Sequence, residues 1–300
     1  MHTTRLLAIM QGLLVTLIWS SSYVFSKYGL GYVGPFTIMG LQYLIAFAVL
    51  APLIAQRGAT LRRLPKPIWH RLLLMGVFAY PIGNGAMVWG LQYVPAATGA
   101  IMMSLSPLLV LVGGTLWLHE KPSAMQTLGA VVVVGGSLLF FSPGAQAAGE
   151  PIGLLAVTAA VFGYMLFSLL GRGIARAGDA DTLTLTAVPI LIGGVVLLIL
   201  AMLFEDFPPT TWQGWAVIVW LALVDTALAY ILYYRALKTL TALEINVLIS
   251  LAPLGTAIFG WLLLNEALFF VQIGGMLLIL LGVFVVQQSG AHELPESQAT

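Results

Sequence analysis

Long apolar runs dominate the chain, and short breaks that hold proline, glycine or charged residues separate them. Most runs are about 20 residues long, the length of helix that crosses the apolar part of a bilayer. They do not alternate apolar and polar residues as the strands of a membrane barrel do, so we expect helices. The predicted spans are 6–26, 35–55, 72–91, 96–118, 124–141, 152–170, 183–204, 212–233, 241–264 and 269–286. The pattern therefore predicts an all-α membrane protein with ten transmembrane helices.

Composition agrees with a chain whose main solvent is lipid. Of its 300 residues, 60% are apolar and 8% are charged, whereas soluble proteins carry roughly 25% charged residues. The absence of cysteine excludes disulfides, thiolate metal sites and cysteine nucleophiles. The four histidines fall near the chain ends or in predicted loops: His2, His70, His119 and His292. We therefore expect no metal, no cofactor and no enzyme active site. The sequence contains no Walker motif, so we do not expect ATP-driven transport by this chain alone.

Basic residues indicate the orientation of the chain, because they are enriched in cytoplasmic loops. The connection after the second span holds five of them and no acid: Arg57, Arg62, Arg63, Lys66 and Arg71. If this connection is cytoplasmic, Lys27 is the only one of the twelve basic residues on the outer side. The predicted outer loops carry acids instead, namely Glu150, Glu205, Asp206 and Glu266. We therefore expect a multi-pass protein with both termini in the cytoplasm.

The second half of the chain repeats the first. Identical residues recur 146 positions apart in spans three to five and eight to ten: Leu91/Leu237, Ala96/Ala242, Ser104/Ser250, Leu105/Leu251, Pro107/Pro253, Leu108/Leu254, Gly114/Gly260, Leu118/Leu264, Glu120/Glu266, Gln126/Gln272, Gly129/Gly275 and Gly136/Gly282. Five spans in each half is an odd number, so the two halves are expected to cross the membrane in opposite senses. We assign residues 1–145 to the first five-helix repeat, 146–288 to the second, inverted repeat, and 289–300 to a short cytoplasmic tail.

Inverted repeats are typical of secondary transporters, in which two similar halves exchange roles around a site near the bilayer midplane. Pro107 and Pro253 lie at equivalent positions inside spans four and nine, and each removes a backbone hydrogen bond. We interpret them as hinges of the helices. The alternative is that both prolines are tolerated kinks without a role in motion.

A motif at the junction of the fourth and fifth spans identifies a resemblance. Glu120, Gly129 and Gly136 form E-x8-G-x6-G, and Glu266, Gly275 and Gly282 repeat it in the second half. With Trp19 and Tyr23 in the first span, the chain resembles the drug/metabolite transporter superfamily of the EamA type, over about residues 6–287. Within it, the chain is similar to the bacterial aromatic-amino-acid exporters (YddG type).

The resemblance implies a substrate and a mechanism. It implies a bacterial inner-membrane transporter that exports aromatic and other neutral amino acids (Phe, Tyr, Trp) by alternating access. It also implies that spans 1, 3, 4, 6, 8 and 9 line a central cavity, while spans 5 and 10 pack at the periphery. The expected partners are then amino-acid substrates and the lipid bilayer, and not nucleic acid.

Polar and aromatic residues at helical spacing in those spans are the candidate substrate-binding residues. They are Trp19, Tyr23, Tyr80, Asn84, Met102, Ser106, Tyr164, Tyr230, Asn246 and Ser250. An aromatic, methionine-containing and hydroxyl-bearing surface suits a flat apolar side chain with a few polar anchors. The alternative is that the rings pack between helices and that the Ser and Asn side chains form interhelical hydrogen bonds.

Asp225 is the acidic residue near the middle of a predicted span. A charged residue there costs about 2.5–3.5 kcal/mol on insertion scales, so intramembrane acids usually have a function. We interpret Asp225 as a proton site or as an anchor for a substrate ammonium group. The alternative is a carboxyl group that neighbouring side chains such as Thr226 satisfy. No Lys or Arg lies at the same depth, which disfavours strongly anionic substrates.

Other acids are expected to be structural. Thr241 and Glu244 have the spacing of a capping box that opens span nine. Glu120 and Glu266 stand at helix junctions, where carboxylates accept hydrogen bonds from backbone N–H groups. Lys27 ends the first span and is expected to reach the outer interface.

Another class of transporter fits many of the same residues. A multidrug exporter of lipophilic cations, or of other small metabolites, would use the aromatic surface with Asp225 as counter-ion. A passive channel fits less well, since it would not need bending prolines in both halves. Proton coupling, exchange and facilitated diffusion are all open at this point.

Overall fold

The computed structural model describes residues 2–29, 32–56, 61, 64–94, 96–142, 150–206, 211–255, 258 and 269–291. Within them every regular element is a helix. In chain order we label these α1 (His2–Gly29), α2 (Pro35–Ala55), α3 (Lys66–Gly90), α4 (two segments, Ala96–Ser104 and Ser106–Trp117), α5 (Ala124–Phe141), α6 (Pro151–Ala177), α7 (Thr182–Phe204), α8 (Trp212–Thr239), α9 (Ala242–Ile249) and α10 (Phe270–Ala291). The expectations for Arg57, Arg62, Arg63 and Glu266, and for the side chains of Tyr23 and Lys27, lie outside the described residues.

Eight of these helices are long and apolar enough to cross a membrane, namely α1, α2, α3, α5, α6, α7, α8 and α10. Two shorter apolar helical stretches, Met102–Trp117 and Ala242–Gly255, coincide with predicted spans four and nine. The bounds predicted for α2 and α5 are confirmed. By contrast, α6 continues past the predicted end at residue 170 to Ala177, where Gly178 adopts a positive φ of 71°. Hydropathy marks the end of the apolar stretch, whereas the helix continues until the backbone leaves the helical conformation.

A seam of glycines joins α5 to α10. Gly129 faces Gly282, and Gly136 faces Gly275, so the two helices run antiparallel. A Cβ atom built on Gly136 would lie 2.8 Å from the carbonyl oxygen of Gly275. Small residues allow this close approach of membrane helices, and the glycines of the E-x8-G-x6-G motif therefore have a packing role.

The first helix of each half packs against the third helix of the other half. Helix α1 contacts α8 and α9, and α6 contacts α3 and α4. Helices α2 and α7 pack along each other, as α5 and α10 do. This arrangement brings α1, α3, α6 and α8 together in the middle of the bundle, with the candidates Trp19, Tyr80 and Tyr230.

Both proline-containing helices are interrupted at equivalent positions. Helix α4 breaks at Leu105, two residues before Pro107, and a turn at Ser250 and Leu251 follows α9, two residues before Pro253. Proline lacks the N–H of a helical hydrogen bond and crowds the preceding turn. The predicted bends are therefore present, whereas a hinge motion at them stays a prediction.

The middle of α3 and of α8 is wound as a π-helix, which the sequence analysis did not predict. The π segments are Phe78–Gly85 in α3 and Leu221–Leu228 in α8. Pro81 lies within the first, whereas the second contains no proline. Wide turns of this kind are frequent at functional sites. Here they carry Tyr80 and Asn84 in one helix and Asp225 in the other.

Candidate functional site

Six aromatic residues meet in the middle of the bundle. We call Trp19, Tyr80, Phe167, Tyr230, Tyr233 and Tyr234 the central aromatic cluster. The ring of Trp19 lies 5.5 Å from that of Tyr230 and 5.9 Å from that of Tyr233. The ring of Tyr80 lies 5.9 Å from Tyr230, and Phe167 stacks on Tyr233 at 5.9 Å. Helices α1, α3, α6 and α8, and thus both halves of the chain, contribute to it.

The cluster brings together Trp19, Tyr80 and Tyr230, which the sequence analysis had selected. It adds Phe167, Tyr233 and Tyr234, which are not among the selected residues. The helical spacing of Tyr164 and Phe167, and of Tyr230 and Tyr234, could have indicated them. The rings are packed on one another, since only 1% of Tyr80 and 7% of Tyr230 are exposed. A ligand that enters the middle of the bundle must therefore separate rings that are in contact here.

Asn84 organises a first polar network on one side of the cluster. Its side-chain amide donates a hydrogen bond to the Tyr43 hydroxyl (2.9 Å) and to the Ala79 carbonyl oxygen (3.3 Å). The Tyr164 hydroxyl donates to the Asn84 side-chain oxygen. This network connects α2, α3 and α6. The residue that the sequence analysis missed is Tyr43, because α2 was not expected to reach the centre.

Asn246 organises a second polar network. Its side-chain amide donates to the Ser168 hydroxyl (2.6 Å) and to the Ala242 carbonyl oxygen (2.8 Å). The Tyr233 hydroxyl donates to Ser168 over a longer distance (3.4 Å), which links the network to the aromatic cluster. The Ser250 hydroxyl donates to the Asn246 carbonyl oxygen (3.0 Å) at the break that follows α9. Helix α6 serves both networks, through Tyr164 and Ser168 one turn apart.

Asp225 lies beside the central aromatic cluster. Its backbone carbonyl oxygen accepts a hydrogen bond from the Trp19 indole nitrogen (3.1 Å). Its carboxyl group lies within electrostatic range of the hydroxyls of Tyr43 and Tyr230. The next residue, Thr226, is fully buried. The structure thus brings the intramembrane acid of α8 together with aromatic rings from α1, α2 and α8.

Two further candidates, Met102 and Ser106, lie apart from the rings. Met102 packs with Val94, Val157 and Val161 in a separate apolar cluster. Ser106 is buried at the start of the second segment of α4, next to Pro107. The structure places Tyr23 in α1 without describing its side chain.

The helix-capping prediction for Glu244 is confirmed. The Thr241 hydroxyl accepts a hydrogen bond from the Glu244 N–H (3.1 Å), and the Glu244 carboxylate accepts one from the Thr241 N–H (2.7 Å). Glu120 accepts a hydrogen bond from the Ala242 N–H (3.4 Å), as expected of a carboxylate at a helix junction. In the described part of the chain, no three His, Cys, Asp or Glu side chains come together as a metal site would require.

Several proteins resemble the chain over most of its length. The uncharacterized transporter YoaV of Bacillus subtilis is 26% identical over 289 residues, which cover 92% of this chain and 96% of YoaV. An uncharacterized transporter of Archaeoglobus fulgidus is 27% identical over 278 residues, or 89% of this chain and 92% of its own. The S-adenosylmethionine/S-adenosylhomocysteine transporter of Chlamydia trachomatis serovar L2 is 26% identical over 264 residues, or 83% of this chain and 80% of its own.

A crystal structure of a protein has the same fold. It superposes with a TM-score of 0.80 at 23% identity and covers 95% of this chain and 98% of its own.

The family comparison agrees with the duplication seen in the sequence. The EamA-like transporter family matches residues 6–142 and, separately, residues 151–287. The two matches correspond to the two halves, and together they include every helix of the central site. With its apolar helices and this double match, the chain belongs to the EamA-like transporter family and is a multi-pass membrane transporter.

Proposed function

We propose that this transporter exports aromatic and other neutral amino acids across a bacterial inner membrane by alternating access. The observation that carries the proposal is the central aromatic cluster, with an amide-centred network on each side and one carboxyl group beside it. Aromatic rings bind a flat apolar side chain, and hydroxyl and amide groups bind the polar ends of an amino acid. The described part of the chain carries no Lys or Arg at this depth, which suits a zwitterion better than a strong anion.

The proposed architecture is ten transmembrane helices in two inverted five-helix repeats. Its support is the antiparallel course of two equivalent pairs. Helices α5 and α10 are equivalent in the sequence repeat and run in opposite directions along the glycine seam. Helices α2 and α7 do the same, because Gly40 contacts Leu198 while Gly194 contacts Tyr43 and Leu44. Opposite directions of equivalent helices are expected of repeats that cross the membrane in opposite senses.

In this proposal Trp19, Tyr23 and Tyr80 enclose the substrate side chain, and Met102 contributes apolar surface from its separate cluster in α4. The polar groups of the substrate contact Asn84, Ser106, Tyr164, Tyr230, Asn246 and Ser250. Asp225 binds a proton or the substrate ammonium group. Bending at Pro107 and Pro253 lets the packed rings separate toward one side of the membrane and then the other.

The proposed orientation has both termini in the cytoplasm. Arg5, Lys66, Arg71, Arg172, Arg176, Arg235 and Lys238 lie at helix ends on one side of the bundle, whereas Glu205 and Asp206 follow α7 on the opposite side. This distribution supports the first side as cytoplasmic, since cytoplasmic ends are rich in basic residues.

A second candidate function is the export of lipophilic cations or other small metabolites. Asp225 beside several aromatic rings suits an ammonium or sulfonium centre, because ring faces and a carboxylate both attract a cation. One relative is named a transporter of S-adenosylmethionine and S-adenosylhomocysteine, of which the first carries a sulfonium group.

The test is counterflow in proteoliposomes. Vesicles loaded with unlabelled phenylalanine receive labelled phenylalanine outside, with and without a pH gradient, and protein-free vesicles serve as the control. Saturable uptake that other aromatic amino acids compete away supports the amino-acid function. No uptake of labelled phenylalanine, together with saturable counterflow of labelled S-adenosylmethionine or of a lipophilic cation, supports the second candidate and contradicts the first.

A further inference from the structure

Two buried ion pairs lie at the end of the bundle where α1 begins. The Arg5 guanidinium contacts the Glu244 carboxylate at 2.6 Å, and only 7% and 2% of the two side chains are exposed. The Arg172 guanidinium contacts the Glu120 carboxylate at 2.8 Å, with 9% and 11% exposed. Each pair joins the two halves of the chain, because Arg5 and Glu120 belong to the first and Glu244 and Arg172 to the second.

The arginines extend these links to the backbone of further helices. Arg5 also donates to the Gln287 carbonyl oxygen (3.0 Å), and the Gln287 side chain donates to the Glu244 carbonyl oxygen (3.0 Å). Arg172 also donates to the Leu237 carbonyl oxygen near the end of α8 (2.7 Å). The two pairs therefore hold α1, α6, α8, α9 and α10 together at one end.

These links lie about one helical turn from the candidate site, toward the end of the bundle where α1 begins. Arg172 follows Ser168 by one helical turn in α6, and Leu237 follows Tyr233 by one turn in α8. Glu244 lies in α9 two residues before Asn246. A separation of the helices at this end would thus pull on Ser168, Tyr233 and Asn246, which are joined by hydrogen bonds.

The opposite end is held in another way. Glu205, after α7, accepts hydrogen bonds from the N–H groups of Phe36 (2.7 Å) and Thr37 (2.8 Å) and from the Thr37 hydroxyl (2.8 Å). This contact joins α7 to α2, and of these two helices only α2 reaches the centre, where the ring of Tyr43 lies 4.4 Å from that of Tyr80. The position equivalent to Glu244 in the first half is Thr98, which cannot form an ion pair. The first half therefore provides no counterpart of Glu244 for an equivalent ion pair at the opposite end.

We propose that Arg5–Glu244 and Arg172–Glu120 form a latch that closes the α1 end and opens in each transport cycle. The proposal rests on the alternating-access function proposed above and adds the contact that keeps one side shut. A desolvated ion pair suits a contact that must form and break. On opening, water solvates both charges, and on closing each charge again meets its partner. An apolar seal would instead expose its surface to water at every opening.

The absence of cysteine makes the test direct, since a single introduced cysteine is the only thiol in the chain. Ala8 lies one turn inside Arg5 in α1 and is 2% exposed, so Ala8→Cys reports opening of the α1 end. A membrane-impermeant maleimide is applied to inside-out vesicles, and the labelling rate is measured. Glu244→Gln removes the charge but keeps the capping box, because Gln caps as Glu does. Glu120→Gln removes the other carboxylate.

We expect Glu244→Gln and Glu120→Gln each to raise the labelling rate of Ala8→Cys by about tenfold. The labelling rate is proportional to the fraction of molecules in which the α1 end is open, and a tenfold rise in that fraction gives this increase. Unchanged rates in both variants would overturn the latch. Arg71→Gln is the matched control, since it removes an exposed ion pair with Asp179 at the same end. It should leave the rate unchanged, and an equal increase there would contradict the proposal.

A second reporter separates opening from unfolding. Ala130→Cys lies in α5, which packs against α10 at the glycine seam, and is fully buried. Its labelling should stay slow in both latch variants, and faster labelling would mean general unfolding and would overturn the latch. Labelling requires no substrate, so failure of this test leaves the amino-acid proposal intact, and failure of phenylalanine transport leaves the labelling result intact.

Discussion

The glycine seam and the central aromatic cluster both include positions that are equivalent in the sequence repeat. The equivalent residues are identical at the seam and different at the cluster. At the seam the equivalent residues are identical, with Gly129 matching Gly275 and Gly136 matching Gly282. At the centre they differ, since the equivalent of Tyr80 is Thr226 and the equivalent of Asn84 is Tyr230. The two halves thus share a scaffold and diverge where the candidate site lies.

The difference follows from the kind of contact made at each place. At the seam backbone meets backbone, so neither half tolerates a side chain there. At the centre side chain meets side chain, and one half can supply an amide while the other supplies a ring. An asymmetric molecule, with a flat end and a polar end, requires such divergence, whereas the scaffold of an inverted repeat requires its two halves to match.

The largest expected effect comes from filling the seam. A Cβ on Gly136 would lie 2.8 Å from the Gly275 carbonyl oxygen and 2.8 Å from the Ile279 nitrogen. Backbone atoms cannot yield as side chains do, so Gly136→Val should destabilise the protein by at least the roughly 1–3 kcal/mol typical of overpacking. Size-exclusion profiles and melting temperature in detergent measure the loss. Gly135→Val is the control, because nothing lies within 4 Å of a Cβ there. Similar losses in both variants would contradict the seam.

The next largest effect is a loss of substrate affinity on changing the central aromatic cluster. Trp19→Ala removes two ring contacts and the hydrogen bond to the Asp225 carbonyl oxygen. Ring pairs contribute about 0.5–1.5 kcal/mol each, so the apparent affinity for aromatic substrates should fall about tenfold. Affinity for aliphatic amino acids should fall less. Counterflow with both substrate classes measures this split, and Trp215→Ala, on a half-exposed residue of α8, should leave transport unchanged. A uniform loss for all substrates would assign Trp19 to packing.

Asp225→Asn tests the carboxyl group with little change in shape. If Asp225 carries a proton or anchors an ammonium group, the variant should change the pH dependence of phenylalanine transport or lower its affinity severalfold. Asp179→Asn, in the exposed pair with Arg71, is the matched acid outside the site. Transport by Asp225→Asn that equals the parent at every pH would remove the residue from the mechanism.

The smallest effect is expected in the Asn84 network. Tyr164→Phe and Tyr43→Phe each remove one hydroxyl that bonds to Asn84. A neutral hydrogen bond contributes about 0.5–1.5 kcal/mol, so KM should rise a fewfold while the protein stays folded. If Asn84 acts as the shared partner, the double variant should lose less binding free energy, measured from KM, than the sum of the losses in the two single variants. Strict additivity would mean that the two hydroxyls act independently.

Local features of the chain were predictable from sequence. The bounds of α2 and α5 follow from hydropathy, the cap of α9 from the spacing of Thr241 and Glu244, and the interruption of α4 from Pro107. Each depends on residues within one or two helical turns, so the neighbouring sequence contains the cause. Trp19, Tyr80 and Tyr230 could also be selected, because aromatic residues repeat at helical spacing on one helix face.

What joins one helix to another was decided by tertiary structure. Arg5 and Glu244 are 239 positions apart, and nothing in either local sequence identifies the partner. The role of Tyr43 in the Asn84 network depends on how far α2 reaches into the bundle. The π segment of α8 contains no proline that could have indicated it in the sequence. The sequence by itself determined which segments are helical and apolar, because those properties are local. Only the packed structure determined which side chains meet, because that depends on how the faces of all the helices fit together.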